Sequence, residues 1–117
     1  MDLLGLLGQT KYIKLTFQSI ISGLMFSDDE VTAAILFKLH RRGNWGASHT
    51  ALDNLQKGFK DADLGKHGAK RVDKLARGLI RQGWIIPKPT SYGLQVSLNP
   101  KESQGIMAFM RRFFPEV

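Results

Sequence analysis

Lys66, Lys70, Lys74, Arg77 and Arg81 recur at intervals of three and four residues. On a helix, at about 100° per residue, that spacing gathers all five onto one face. A row of ammonium and guanidinium groups suits charge neutralisation, above all of a phosphate backbone. Bond-making chemistry is harder to assemble from this chain. It has no cysteine, which removes disulfides, thiol nucleophiles and thiolate metal sites. His40, His49 and His67 lack H-x-x-x-H spacing, so no zinc site is expected, and His40 is placed to interact with a helix C-terminus. Asp28, Asp29 and Glu30 read as capping residues rather than metal ligands or an acid–base set. No Ser-His-Asp order, phosphate-binding loop or carboxylate pair stands out. The chain is therefore expected to be no enzyme, with no cofactor and no metal.

The bulk numbers agree with a binding role. The 117 residues suit one domain with a modest core, and an apolar share of 43% is ordinary for a globular protein. The net charge is +7 and the pI about 10.0. Residues 66–88 hold seven basic residues against Asp73 alone, a balance of +6 within that +7. Charge so concentrated marks an anionic partner more than a need for solubility.

The elements that would position this charge can be read from periodicity and caps. Val72, Leu75, Ala76, Leu79 and Ile80 form the apolar face opposite the cations, predicting a helix over 66–82. Gly83 is expected as the left-handed residue that ends it, with Trp84 as its apolar follower. Ser27 with Glu30 is a capping box and Phe26 a staple for Val31, so a helix is expected over 27–42, stopped by Gly43. Its interior is apolar nearly all round, which places it centrally in the core. A short strand is expected at Trp45–Ser48. A second helix is expected over 48–58, capped by Ser48 or Thr50, with Leu52, Leu55 and Phe59 buried. Leu64 is a core anchor. Trp84-Ile85-Ile86 and Leu94–Leu98 read as the strands of a hairpin over 84–98, joined by a turn-rich link from Pro87 to Gly93. Pro87 and Pro89 place the first strand at an edge.

The two ends are apolar. Ile13, Phe17, Ile20, Ile21 and Leu24 fit a helix from about Thr10 to Leu24, although Ile13, Leu15 and Phe17 also alternate as a strand would. Asn99 and Pro100 open a last helix over 100–117, with Glu102 at its third position and Ile106, Met107, Met110, Phe113 and Phe114 on its apolar side. The segments 1–26 and 100–117 are expected either to pack on the domain or to pair two copies in a homodimer. The longest uncharged run, Leu15–Ser27, is shorter than the roughly 20 residues of a membrane span. The N-terminus lacks the basic region of a signal peptide, so a cytoplasmic, nucleoid-associated protein without membrane contact is expected.

Helix, short strand, helix, turn, basic helix and hairpin, in that order over 27–99, resemble a winged helix-turn-helix domain. The residues carrying the resemblance are the capped helix Ser27–Arg42 and the run Val72-Asp73-Lys74-Leu75-Ala76-Arg77-Gly78-Leu79-Ile80-Arg81-Gln82-Gly83-Trp84-Ile85-Ile86. The resemblance implies a mainly α fold with a small β-hairpin, extended by N- and C-terminal helices. It also implies sequence-specific binding of double-stranded DNA, as in a transcription regulator. Lys66, Lys70, Arg71 and Lys74 would then face the major groove, and Arg77 and Arg81 would neutralise phosphates. Lys88, Thr90, Ser91 and Tyr92 would be wing contacts, and Ser48, His49 and Thr50 would hold a phosphate at a helix N-terminus. The turn from Gly58 to Gly65 is longer than the family's tightest versions.

Two alternatives stay open at this point. A winged-helix domain can be a protein-interaction module of a larger assembly, with the apolar ends as docking surfaces. Gly65-Lys66-His67-Gly68 is a GxxG, which in KH domains clamps single-stranded RNA, and here it also stands between two helices with basic residues inside.

Overall fold

Ser27 opens the first helix as its capping box predicts. The computed structural model describes residues 26–59, 64–65 and 67–117, and the expected helix from Thr10 to Leu24 lies outside them. The Ser27 hydroxyl accepts from the Glu30 N–H at 3.1 Å, and the Glu30 carboxylate accepts from the Ser27 N–H at 2.7 Å. Helix α1 then runs Asp28–Arg41, with acids in its first turn and Lys38, His40 and Arg41 in its last, as the macrodipole favours. Gly43, at φ +72°, ends it. The Gly43 and Asn44 N–H groups turn back to the His40 and Leu39 carbonyls at 3.0 and 2.9 Å. Val31, Ala33, Ile35, Leu36 and Leu39 are fully buried, and Phe26, Ala34 and Phe37 nearly so. Burial on every side makes α1 the centre of the core.

The chain after Gly43 departs from the expected helix over 48–58. Trp45 bridges Leu98, and the short strand β1 is Thr50–Ala51, paired antiparallel with Val96 and Gln95. Only a five-residue 3-10 helix follows, Leu52–Gln56, which buries Leu52 and Leu55. The physical reason is non-local: the β-branched Thr50 completes a sheet with a strand about 45 residues away, and that pairing overrides the local capping signal. His40, in the last turn of α1 as expected, has a further partner. Its Nδ1 accepts from the Trp45 indole N–H at 3.3 Å, which also ties the helix end to the loop that follows.

The sheet has the order β1-β3-β2, with β2 Ile85–Thr90 and β3 Gly93–Leu98. Thr90 pairs with Gly93, so the expected link over 87–93 shrinks to the turn Ser91-Tyr92. Pro87 and Pro89 lie within β2, which is an edge strand as expected. Two residues apart, they share the alternate positions whose N–H would point to the open edge, so the ladder to β3 loses no donor. Val96 and Leu98 are fully buried and Leu94 half-buried. Ser97 is fully buried as well, its hydroxyl donating to the Gly46 carbonyl at 2.8 Å, so the strand is not the half-buried one its alternation predicts.

Asn99 caps the next turn, its side chain accepting from the Lys101 N–H at 3.0 Å. A 3-10 turn, Pro100–Glu102, leads into α3, Ser103–Arg111. Ile106, Met110 and Phe114 are fully buried, and the Phe114 ring stacks on Phe37 of α1 at 4.4 Å and 13°. These three side chains pack inside the domain, while Met107 and Phe113 are only partly buried. The described residues thus form a mixed α+β fold of three α-helices and a small three-stranded antiparallel sheet. Among them, no helix is long and apolar enough to cross a membrane.

Lys38 carries a consequence for stability. Its ammonium donates to the Lys57 carbonyl, closing the end of the 3-10 helix. Burial first, then the neighbouring charges of Arg42 and Lys57, lowers its pKa from the usual 10.5. The folded chain therefore holds this proton less tightly than the unfolded chain. Stability attributable to Lys38 rises with pH between its folded pKa and 10.5. Urea midpoints of the parent and Lys38→Met, measured across alkaline pH, should show the parent gaining on the variant over that interval.

Candidate nucleic-acid interface

Helix α2, Gly68–Gln82, follows the periodicity that predicted it. Val72, Ala76 and Leu79 are buried, with Leu75 and Ile80 packed against the core as partly buried neighbours. Lys70, Lys74, Arg77 and Arg81 are exposed on the other side. Arg77 pairs with Asp73 at 2.9 Å, but both side chains are about half exposed, so the pair holds them weakly. Gly83, at φ +89°, ends the helix, and the Trp84 N–H returns to the Leu79 carbonyl at 3.0 Å. That is the expected left-handed stop.

The start of α2 is set by close packing. Helix geometry begins at Gly68, two residues later than expected, and Lys66 lies outside the described residues. A Cβ at Gly68 would stand 2.8 Å from the Leu64 Cβ, and Gly65 has φ +85°. Both glycines of the GxxG are thus accounted for by the turn that carries buried Leu64 into α2. Gly68→Ala should destabilise the fold by about 1–3 kcal/mol, read as a lower urea midpoint, because Leu64 must shift.

The charges at the start of α2 run against its dipole. Where α1 opens with three acids, the first turn of α2 has none and instead carries Lys70, followed by Arg71. A cation near a helix N-terminus costs roughly 0.3–1 kcal/mol. Nothing in the fold requires Lys70 there, since it is exposed and makes no described ion pair. An anion brought to this end would reverse the penalty.

Arg71 behaves differently from its neighbours. Its side chain is only 19% exposed and pairs with Asp28 at 2.9 Å. It also donates to the carbonyls of Leu64 and Phe26. The structure therefore turns Arg71 away from a groove-facing role and makes it the tie between α2, the start of α1 and the preceding turn. Its partner Asp28 lies 43 residues earlier, so no local pattern could reveal this.

The Ser48-His49-Thr50 expectation is also corrected. No α-helix starts there. Thr50 is buried in β1 and its Oγ1 accepts from the Asn54 side chain at 2.9 Å. The Ser48 N–H donates to the Trp45 carbonyl at 3.0 Å, and its Oγ accepts from Asn44 at 3.2 Å. The amides that were to hold a phosphate are not gathered at a helix end. His49 is half-buried beside them and His67 is exposed just before α2.

The hairpin leaves directly from the end of α2, and β2 packs against that helix. Asn99 joins the two: its side-chain amide donates to the Gly83 carbonyl and its N–H to the Trp84 carbonyl, both at 2.9 Å. Its capping role is visible in the sequence, but this second role is not, because Gly83 is distant along the chain. Lys88 and Ser91 are exposed and Thr90 is half-exposed. The Thr90 hydroxyl donates to the Gly93 carbonyl at 2.6 Å and accepts from the Tyr92 N–H at 3.2 Å, which pins the tip. Tyr92 stands 97% exposed there.

No family model matches the chain, and no curated protein or solved structure matches it.

Proposed function

We propose that this chain is a winged-helix protein that binds duplex DNA, with α2 as the reading helix and the 84–98 hairpin as the wing, in the manner of a transcription regulator. The observation that carries the reading is the exposed face of α2, where Lys70, Lys74, Arg77 and Arg81 stand together with no acid in the first turn. A solvated helix face ordinarily mixes both signs, and only Asp73 does so here. The order of elements supports the reading, since the hairpin follows the helix through a single glycine. Lys70 and Lys74, nearest the helix start, are the groove-facing pair. Arg77, Arg81 and Lys88 serve as phosphate contacts.

Anisotropy titrations of a labelled duplex at several salt concentrations test this. Three phosphate contacts give a slope of log K against log salt of roughly −3. Absent or salt-independent binding would sink the proposal. One observation favours a protein-docking role instead. Trp84, Phe109 and Phe113 form a half-buried aromatic cluster, with ring centroids 5.9 and 5.6 Å apart and Arg112 lying over both phenylalanines. A chain that ignores duplex DNA and is monomeric by light scattering would turn attention to that cluster.

A further inference from the structure

Tyr92 is the one large apolar side chain that stands fully exposed among the described residues. It sits at the end of a hairpin braced in two ways. Pro87 and Pro89 fix the backbone of β2, and the Thr90 hydroxyl bridges Tyr92 to Gly93 across the turn. From Trp84 to Leu98 the only charge is Lys88, so nothing in the hairpin repels a polyanion. A phosphate contact needs a donor, and the Ser91 hydroxyl beside Tyr92 would supply one. The ring of Tyr92 offers something else, a flat face held out in water.

We infer that the wing tip is a base-stacking device, and that the favoured partner is a duplex adjoining an unpaired base. This rests on the duplex-binding reading above and names its substrate class. Stacking one base on an aromatic ring strengthens binding by roughly 5- to 150-fold. Driving a ring into a closed duplex sacrifices a base–base stack of comparable strength. At an intact step the two effects nearly cancel. Where a base is already unpaired, at a single-strand junction, the opening has no such penalty and the stacking gain remains. One rigid ring without a second wedge therefore recognises openings more readily than it creates them. The basic face of α2 would hold the adjoining duplex while Tyr92 covers the first unpaired base.

The full chain is titrated with two probes of equal length, an intact duplex and a duplex with a single-stranded extension carrying 2-aminopurine at the first unpaired position. The expected result is about tenfold tighter binding to the junction, with the 2-aminopurine fluorescence changed on binding. Tyr92→Ala should bring the junction down to the affinity of the intact duplex and abolish the fluorescence change, with an unaltered melting temperature. Tyr92→Trp should restore both. Equal affinity of the parent for the two probes, or a preference that survives Tyr92→Ala, overturns the stacking role while leaving duplex binding in place. Failure to bind either probe overturns the duplex reading and this inference together.

Discussion

Replacing Lys70 and Lys74 together by alanine should weaken duplex binding about a hundredfold at 0.1 M salt while leaving most of the salt slope, because the phosphate contacts of Arg77, Arg81 and Lys88 remain. Both side chains are exposed and Lys70 opposes the helix dipole. The melting temperature should therefore hold or rise slightly, which separates loss of function from loss of fold. Circular dichroism melts alongside the titrations make that separation. Affinity that survives the double change would show that another surface carries the binding.

The second large effect is expected at Arg71, and its signature is opposite. Arg71→Ala should lower stability by about 1–3 kcal/mol, because the Phe26 and Leu64 carbonyls lose their donor. The ion pair adds little to this, since Asp28 is 71% exposed. Duplex affinity should fall as the start of α2 loosens, yet the salt slope should stay unchanged, because no phosphate contact is removed. Arg71→Lys should not rescue it, as an ammonium lacks the planar fork that reaches three acceptors. A slope reduced by about 0.9 with stability intact would instead make Arg71 a phosphate contact.

The contrast between Arg71 and Lys70 shows how far the sequence could be read. Adjacent in the chain and alike in charge, they differ only in what lies across the fold, and Asp28 is 43 residues away. Local signals carried well. The capping box at Ser27, the stops at Gly43 and Gly83 and the apolar face of α2 each depend on residues within a turn or two, and each is where its pattern predicts. Non-local demands produced the differences. Thr50 has the chemistry of a helix cap, but β3 claims it for the sheet. Gly68 delays the helix because Leu64 packs against its bare backbone. The last helix could serve a core or a second copy equally well by composition, and only the fold shows that Phe114 stacks on Phe37 inside the core. The candidate interface was readable as a charged face, while the assignment of duties among its cations required the fold.

Asn99 has a consequence beyond its cap. Through it, the glycine that ends α2 and the two ends of the hairpin are fastened at a single point. Under the proposed duplex binding, the cationic face and the aromatic tip would then act as the fixed jaws of a caliper. A partner would have to match their span. Such an instrument would lose little entropy on closing, and it would select by the width and curvature of what lies between its jaws.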